Sequence, residues 1–206
     1  KADDADELGF GWLGVLLHDT LRELPKNVPV VVLGHSFGAR VSSMGVCMGP
    51  AIVKNSGESL LPRNTIPLLI SLQGAYSMNR YYEDQGSEGI FYPKSCANAQ
   101  HVVLTSSESD EAMNNKSYVP FVGNNTTYDD HCKERSKLYC EWVKATEEGK
   151  VVPTLDPSRH KTYINADDLI IYNAYGSGGL AHSDIYRKEM GAMLWEVISA
   201  KTRQGN

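Results

Sequence analysis

The chain has 206 residues, 41% hydrophobic and 22% charged, and its 20 Lys and Arg against 25 Asp and Glu give a net charge of −5. That is the composition of one ordinary globular domain. No apolar run approaches the roughly 20 residues that cross a bilayer, and the basic clusters that grip a phosphate backbone are missing, so neither a transmembrane segment nor a nucleic-acid partner is expected.

Residues 5–24 predict a helix. Leu8, Trp12, Val15 and Leu16 share one face and Phe10, Leu13, Leu17, Leu21 and Leu24 another, an apolar surface broad enough to predict burial on most sides. Pro25 and Pro29 punctuate the chain. Residues 28–33 then predict a strand, because Val30-Val31-Val32-Leu33 is the β-branched run of a strand covered on both faces of a parallel sheet. Gly34-His35-Ser36-Phe37-Gly38 follows, and residues 39–48 place small and apolar side chains at helical spacing. A glycine-rich turn thus joins a buried strand to a helix.

Further strands are predicted at 66–72 (IPLLISL), 101–105 (HVVLT) and 169–172 (LIIY). A helix is predicted over 130–147, within a polar stretch; the Lys/Glu pattern of 134–142 fits a solvated helix face, with another cap helix as the alternative. An amphipathic closing helix spans 186–201, carrying Met190, Met193, Leu194, Val197 and Ile198. Strands alternating with helices predict the α/β class with a mostly parallel sheet and flanking helices. Residues 1–206 are expected to form a single domain, with segments around 76–99 and 115–166 as candidates for a cap. The four cysteines, Cys47, Cys96, Cys132 and Cys140, show no C-x-x-C spacing and are expected as scattered thiols rather than a zinc or redox site.

The G-x-S-x-G pattern at 34–38 gains meaning from its placement. A serine on a tight strand-to-helix turn is strained so that its hydroxyl projects, and small residues flank it because the backbones pass closely. Gly34 and Gly38 are expected to meet that need. The Phe37 backbone N–H, at the start of the helix, would serve a developing oxyanion. A serine alcohol needs a base to take its proton and a carboxylate to orient that base. His182 is the candidate base, since it follows the predicted fourth strand through the loop 176–181, at the end of a strand where α/β sheets collect functional groups. Asp110 is the candidate acid, in the loop directly after 101–105, with Glu108 second and Asp84 third. The alternative for Asp110 is merely an N-cap for residues 111–115.

The order Ser36, Asp110, His182, the turn GHSFGAR, and an acid after one buried strand with a histidine after the next resemble the C-terminal two-thirds of an α/β-hydrolase. GHSFG together with HSDIY is similar to the esterase- and lipase-like members. The resemblance implies the α/β-hydrolase fold, with 28–33 as the family's fifth strand and the later three as its sixth to eighth. It implies hydrolysis of a carboxylic ester, small-molecule or lipid, through an acyl-enzyme on Ser36, with no metal or organic cofactor. Only 35 residues precede Ser36, whereas the family takes its second oxyanion donor and first strands from that side. A second polypeptide segment supplying those strands and that loop is therefore expected. Thioester or amide hydrolysis or acyl transfer by the same residues, and a non-catalytic hydrolase-like interaction domain, are the alternatives.

Overall fold

The computed structural model describes residues 1–25, 27–51, 65–82, 90–110, 112–113, 121–124, 140–171 and 180–202. Among them runs a six-stranded sheet of β1 (Val31–His35), β2 (Ile66–Leu72), β3 (Ala99–Ser106), β4 (Cys140–Ala145), β5 (Val151–Val152) and β6 (Lys161–Asn165), ordered β1-β2-β3-β6-β4-β5. Every neighbouring pair is parallel except β4 with β5. The protein is of the α/β class, with a mostly parallel sheet and flanking helices.

Period-two alternation sends β2 and β3 side chains to both faces. Leu69, Val102, Leu104 and Tyr163 join one core with Val32, Ala39, Met44 and Val46. Leu68, Ile70, Leu72, Val103 and Ile164 join the other, against Met190, Met193 and Val197 of the closing helix. Each such side chain contributes about 1.5–3 kcal/mol on burial. The α-helices among the described residues are α1 (Ala2–Glu7), α2 (Gly14–His18), α3 (Phe37–Met48) and α4 (Lys188–Thr202). Residues 169–171 of the expected strand at 169–172 are not a strand: Leu169 and Ile170 are buried in a turn, their N–H groups donating to Ala166 O, and residue 172 lies outside the described residues. The fourth parallel strand is β6 instead. Residues 140–145 of the expected helix form β4, and its residues 130–139 lie outside the described residues.

The N-terminal helix is also more broken than its periodicity predicts. Between α1 and α2, Leu8–Leu13 widens into a π-helical turn. This run presses on α3 so closely that a Cβ on Gly9 would sit 2.5 Å from Val41 O, and one on Gly14 would sit 2.7 Å from Gly49 Cα. Only glycine fits that seam. The expected burial on most sides fails on the outer face, where Leu8, Trp12 and Leu16 are 50%, 78% and 44% exposed. Asp6 fastens α1 from the inside. Its carboxylate accepts from Arg40 Nε (3.0 Å) and Nη2 (2.6 Å) and from Arg80 Nη1 (2.8 Å) and Nη2 (2.9 Å), all of them buried.

The described cysteines are not scattered thiols; Cys132 lies outside the described residues. Cys47, near the end of α3, is bonded to Cys96, just before β3, and Cys140 is disulfide-bonded too; no described cysteine is free. The Cys47–Cys96 link closes a loop across a sequence separation of 49, which removes chain entropy from the unfolded state worth about 4 kcal/mol. The double variant Cys47→Ala/Cys96→Ala is expected to lose stability of that order in urea denaturation under oxidising conditions. A midpoint equal to wild type would contradict this.

Lys161 opens β6 and is 7% exposed, its Nζ donating to Ser95 Oγ at 2.7 Å and lying 5.3 and 5.0 Å from the ring centroids of Tyr81 and Tyr82. Burial lowers its pKa from 10.5 to about 8. Between those values the unfolded chain binds more protons than the folded one, so this group makes stability rise with pH there. Lys161→Met is expected to stabilise the fold by about 2 kcal/mol at pH 7, with the advantage shrinking from pH 8 to 10.5. Denaturation series at pH 7 and 10 read both.

No described helix is long and apolar enough to cross a membrane.

Candidate active site

The parallel register aligns the C-terminal ends of four strands: His35 lies opposite Leu72, Ser71 opposite Leu104, and Ser106 opposite Asn165. Loops leaving these ends meet above one edge of the sheet. Ser36 follows β1 directly, Asp110 lies four residues beyond β3, and His182 lies after β6 in the 3-10 segment Leu180–Tyr186.

Ser36 has φ 57° and ψ −124°, a conformation that costs a non-glycine residue of order 1–3 kcal/mol. The surroundings hold it there. Ser36 N–H donates to Leu72 O at 3.1 Å, and Ser36 O accepts from Ala39 N–H (3.1 Å), Arg40 N–H (3.3 Å) and Ala75 N–H (3.1 Å). Gly34 is required sterically, since a Cβ on it would lie 2.3 Å from Gly38 O. Gly38 is not: a Cβ there would meet nothing within 4 Å, which corrects the expectation that both glycines admit a close backbone approach. With Ser36 as N-cap, the N–H groups of Phe37 and Gly38 open α3 ahead of its first intrahelical bonds. The Phe37 side chain is exposed.

Asp110 is fully buried, and its Oδ2 accepts from His182 Nδ1 at 2.7 Å. Its other oxygen accepts from Met113 N–H at 3.3 Å, so the capping role and the imidazole contact coexist on one carboxylate. Since an ionised carboxylate only accepts, the imidazole proton belongs on Nδ1 and leaves Nε2 as an acceptor. Ser107 stiffens the loop by donating from Oγ to Ile170 O (3.2 Å) and accepting Ser109 N–H (3.1 Å). Glu108 is exposed and its N–H donates to Asp167 Oδ1. Asp84 lies outside the described residues.

The other described histidines are engaged with backbone. His18 Nε2 meets Gly45 O and Val46 O, His101 Nδ1 meets Arg159 O, and His160 Nδ1 meets Gln100 O. His35 bonds the backbone of His182 itself and packs its ring on the His182 imidazole, with centroids 4.3 Å apart. Because Ser36 is its chain neighbour, the His182 imidazole lies beside the turn. Burial, and next the charge of His182, lower the His35 pKa to about 4, so His35 is neutral at pH 7.

No family model matches the chain, no curated protein matches it, and no solved structure matches it. The chemistry of the site therefore has to come from its own geometry.

Two residues here were not singled out from sequence. His35 lies inside the turn motif, where sequence gives it no role of its own, although the last residue of a buried strand before a projecting serine packs on what covers that serine. Gln73 follows β2, is wholly buried at φ 41°, and donates its N–H to Thr105 Oγ1 at 3.1 Å. Its side-chain amide has no partner among the described residues. A polar residue directly after an apolar strand is the signal that points to it. No three His, Cys, Asp or Glu side chains among the described residues are grouped as metal ligands would be.

Proposed function

We propose that the chain is a serine hydrolase of α/β-hydrolase type that cleaves carboxylic esters. The observation that carries this reading is the 2.7 Å contact between buried Asp110 and His182, beside a strained Ser36 on a strand-to-helix turn. In the reaction, Ser36 Oγ attacks the acyl carbon while His182 Nε2 takes its proton. The carbonyl oxygen becomes an oxyanion that accepts from Phe37 N–H. As the tetrahedral intermediate collapses, the carbon–oxygen bond to the alcohol breaks and His182 returns the proton to the departing oxygen. Water, deprotonated by His182, then attacks the acyl carbon, and as the bond from Ser36 Oγ to that carbon breaks His182 returns the proton to Oγ, releasing the carboxylic acid. Asp110 holds the imidazole in the tautomer that each proton transfer needs.

The same reading assigns a partner to β1. This strand pairs only with β2 among the described residues and leaves its other edge open, and open parallel edges recruit strands. Leu33, on β1, is 44% exposed. A second polypeptide segment that adds strands beside β1 would cover that edge and bring further oxyanion donors to the Ser36 turn.

Intact-mass spectrometry before and after treatment with a fluorophosphonate tests both parts. One adduct on this chain is expected, because the reagent reports an activated serine, and a co-purifying polypeptide would identify the added strands. Absence of an adduct would reject the hydrolase reading in favour of a non-catalytic domain.

A further inference from the structure

We infer that His35 is a positioning residue for His182, its flat neutral ring clamping the His182 imidazole in line between Asp110 and the Ser36 hydroxyl. This inference rests on the hydrolase reading but goes beyond it, because Asp110 alone does not fix the imidazole. The Cβ–Cγ attachment and one hydrogen bond at Nδ1 still leave the ring room to tilt, and that tilt sets where Nε2 points relative to Ser36. The second contact that stops this is the His35 ring, 4.3 Å away at an interplanar angle of 37°.

His35 is suited to the task by its place in the chain. It is the last residue of β1, held in register opposite Leu72, and Leu72 O also receives the Ser36 N–H. The stacking surface and the serine are thus carried by one rigid piece of backbone. His35 Nε2 is buried and has no hydrogen-bond partner among the described residues, and the side chain's hydrogen bond goes to the His182 backbone, so the ring holds its neighbour by its face and by that bond and does not relay the imidazole proton. Its low pKa keeps it neutral while His182 carries a proton during turnover. A neutral π face against the transient imidazolium is attractive, whereas a second cation would repel it.

The test replaces the ring in two ways and reads the His182–Asp110 hydrogen bond separately from catalysis. His35→Leu and His35→Gln fill the space without an aromatic face; His35→Phe keeps the face. Proton NMR follows the downfield Nδ1–H resonance of His182, assigned by its loss in His182→Gln, while ester turnover gives kcat and KM. Without the ring, kcat is expected to fall about 10–100-fold at unchanged KM, as a displaced catalytic group does, and the resonance to broaden. His35→Phe is expected to stay within about threefold of wild type in kcat and to keep the resonance sharp.

Wild-type kcat and a sharp resonance in His35→Leu or His35→Gln overturn the proposal. So does a His35→Phe that folds but loses the resonance. Failure of wild type to react with a fluorophosphonate rejects the hydrolase reading instead, and the NMR comparison still decides whether His35 holds the ring.

Discussion

Ser36→Ala is expected to remove ester turnover by about 10⁴–10⁶-fold and to abolish the fluorophosphonate adduct, while the melting temperature stays at or slightly above that of wild type. Both halves follow from the turn. The hydroxyl makes no hydrogen bond with the described residues that holds the fold, since the contacts fixing Ser36 run through its backbone to Leu72, Ala39, Arg40 and Ala75. Alanine keeps those contacts and bears the same strained φ of 57°. Asp110→Asn is the companion variant. It keeps the volume but can present an N–H to Nδ1, which selects the wrong imidazole tautomer and costs on the order of 10⁴ in kcat. Turnover within tenfold of wild type in Ser36→Ala would end the assignment of Ser36 as nucleophile.

The largest stability effect is expected at Asp6. Asp6→Asn should destabilise the fold by about 3–5 kcal/mol, the usual result of removing one member of a buried ion cluster. Both Arg40 and Arg80 lose their bond to this carboxylate while remaining buried, and with it goes the tie from α1 to α3 and to the segment after β2. Burial pushes the Asp6 pKa up, but hydrogen bonds from Arg80 and Arg40 outweigh it and the net shift is below 3.8. A carboxyl whose folded pKa is depressed stabilises above its unfolded value, and that contribution disappears as pH falls through the folded one. Wild type should therefore lose part of its margin over Asp6→Asn below about pH 4. Guanidinium denaturation at pH 7 and pH 3 measures both; a difference under 1 kcal/mol at pH 7 would show that the cluster carries little stability.

Much of the architecture was readable where a single physical rule acts alone. IPLLISL is buried on both faces and forms β2 over the expected residues. The strand before the turn begins at Val31, past Pro29, which has no N–H to give a neighbour. Elsewhere tertiary pairing overrode local pattern. KTYIN looks polar, yet it forms β6 because its polar groups are answered across the sheet: Thr162 Oγ1 donates to Glu141 Oε1 at 2.6 Å, and Glu141 also receives Lys201 Nζ at 2.7 Å. LIIY looks like a strand, but Leu169 and Ile170 fill the core against α4 from a turn. CEWVKA places Lys and Glu where a solvated helix would, and its alternating burial is equally that of β4.

At the site, the places of Ser36 and Asp110 were legible because each follows a strand that forms where expected, whereas His182 was read from an expected strand at 169–172, whose described residues form none, and instead comes from the 3-10 segment after β6. The choice of Asp110 over Glu108 as the contact of His182 was not fixed by spacing, because it depends on which carboxylate the loop turns inward. The packing of His35 on His182 joins two ends of the chain that no local pattern relates.

The strand order also has a consequence for the order in which the molecule can be built during synthesis. β6 is made after β4 and β5 yet lies between β3 and β4 in the sheet, so β4 has no parallel neighbour until residue 165 has emerged. A nascent chain ending before β6 can assemble β1, α3, β2 and β3 but presents an unfilled central edge, the kind of surface that slows folding and invites misassociation. Asp110 and His182 stand on opposite sides of that gap, 72 residues apart. The pair can form only once the last strand has slid into place, and its completion marks a finished fold.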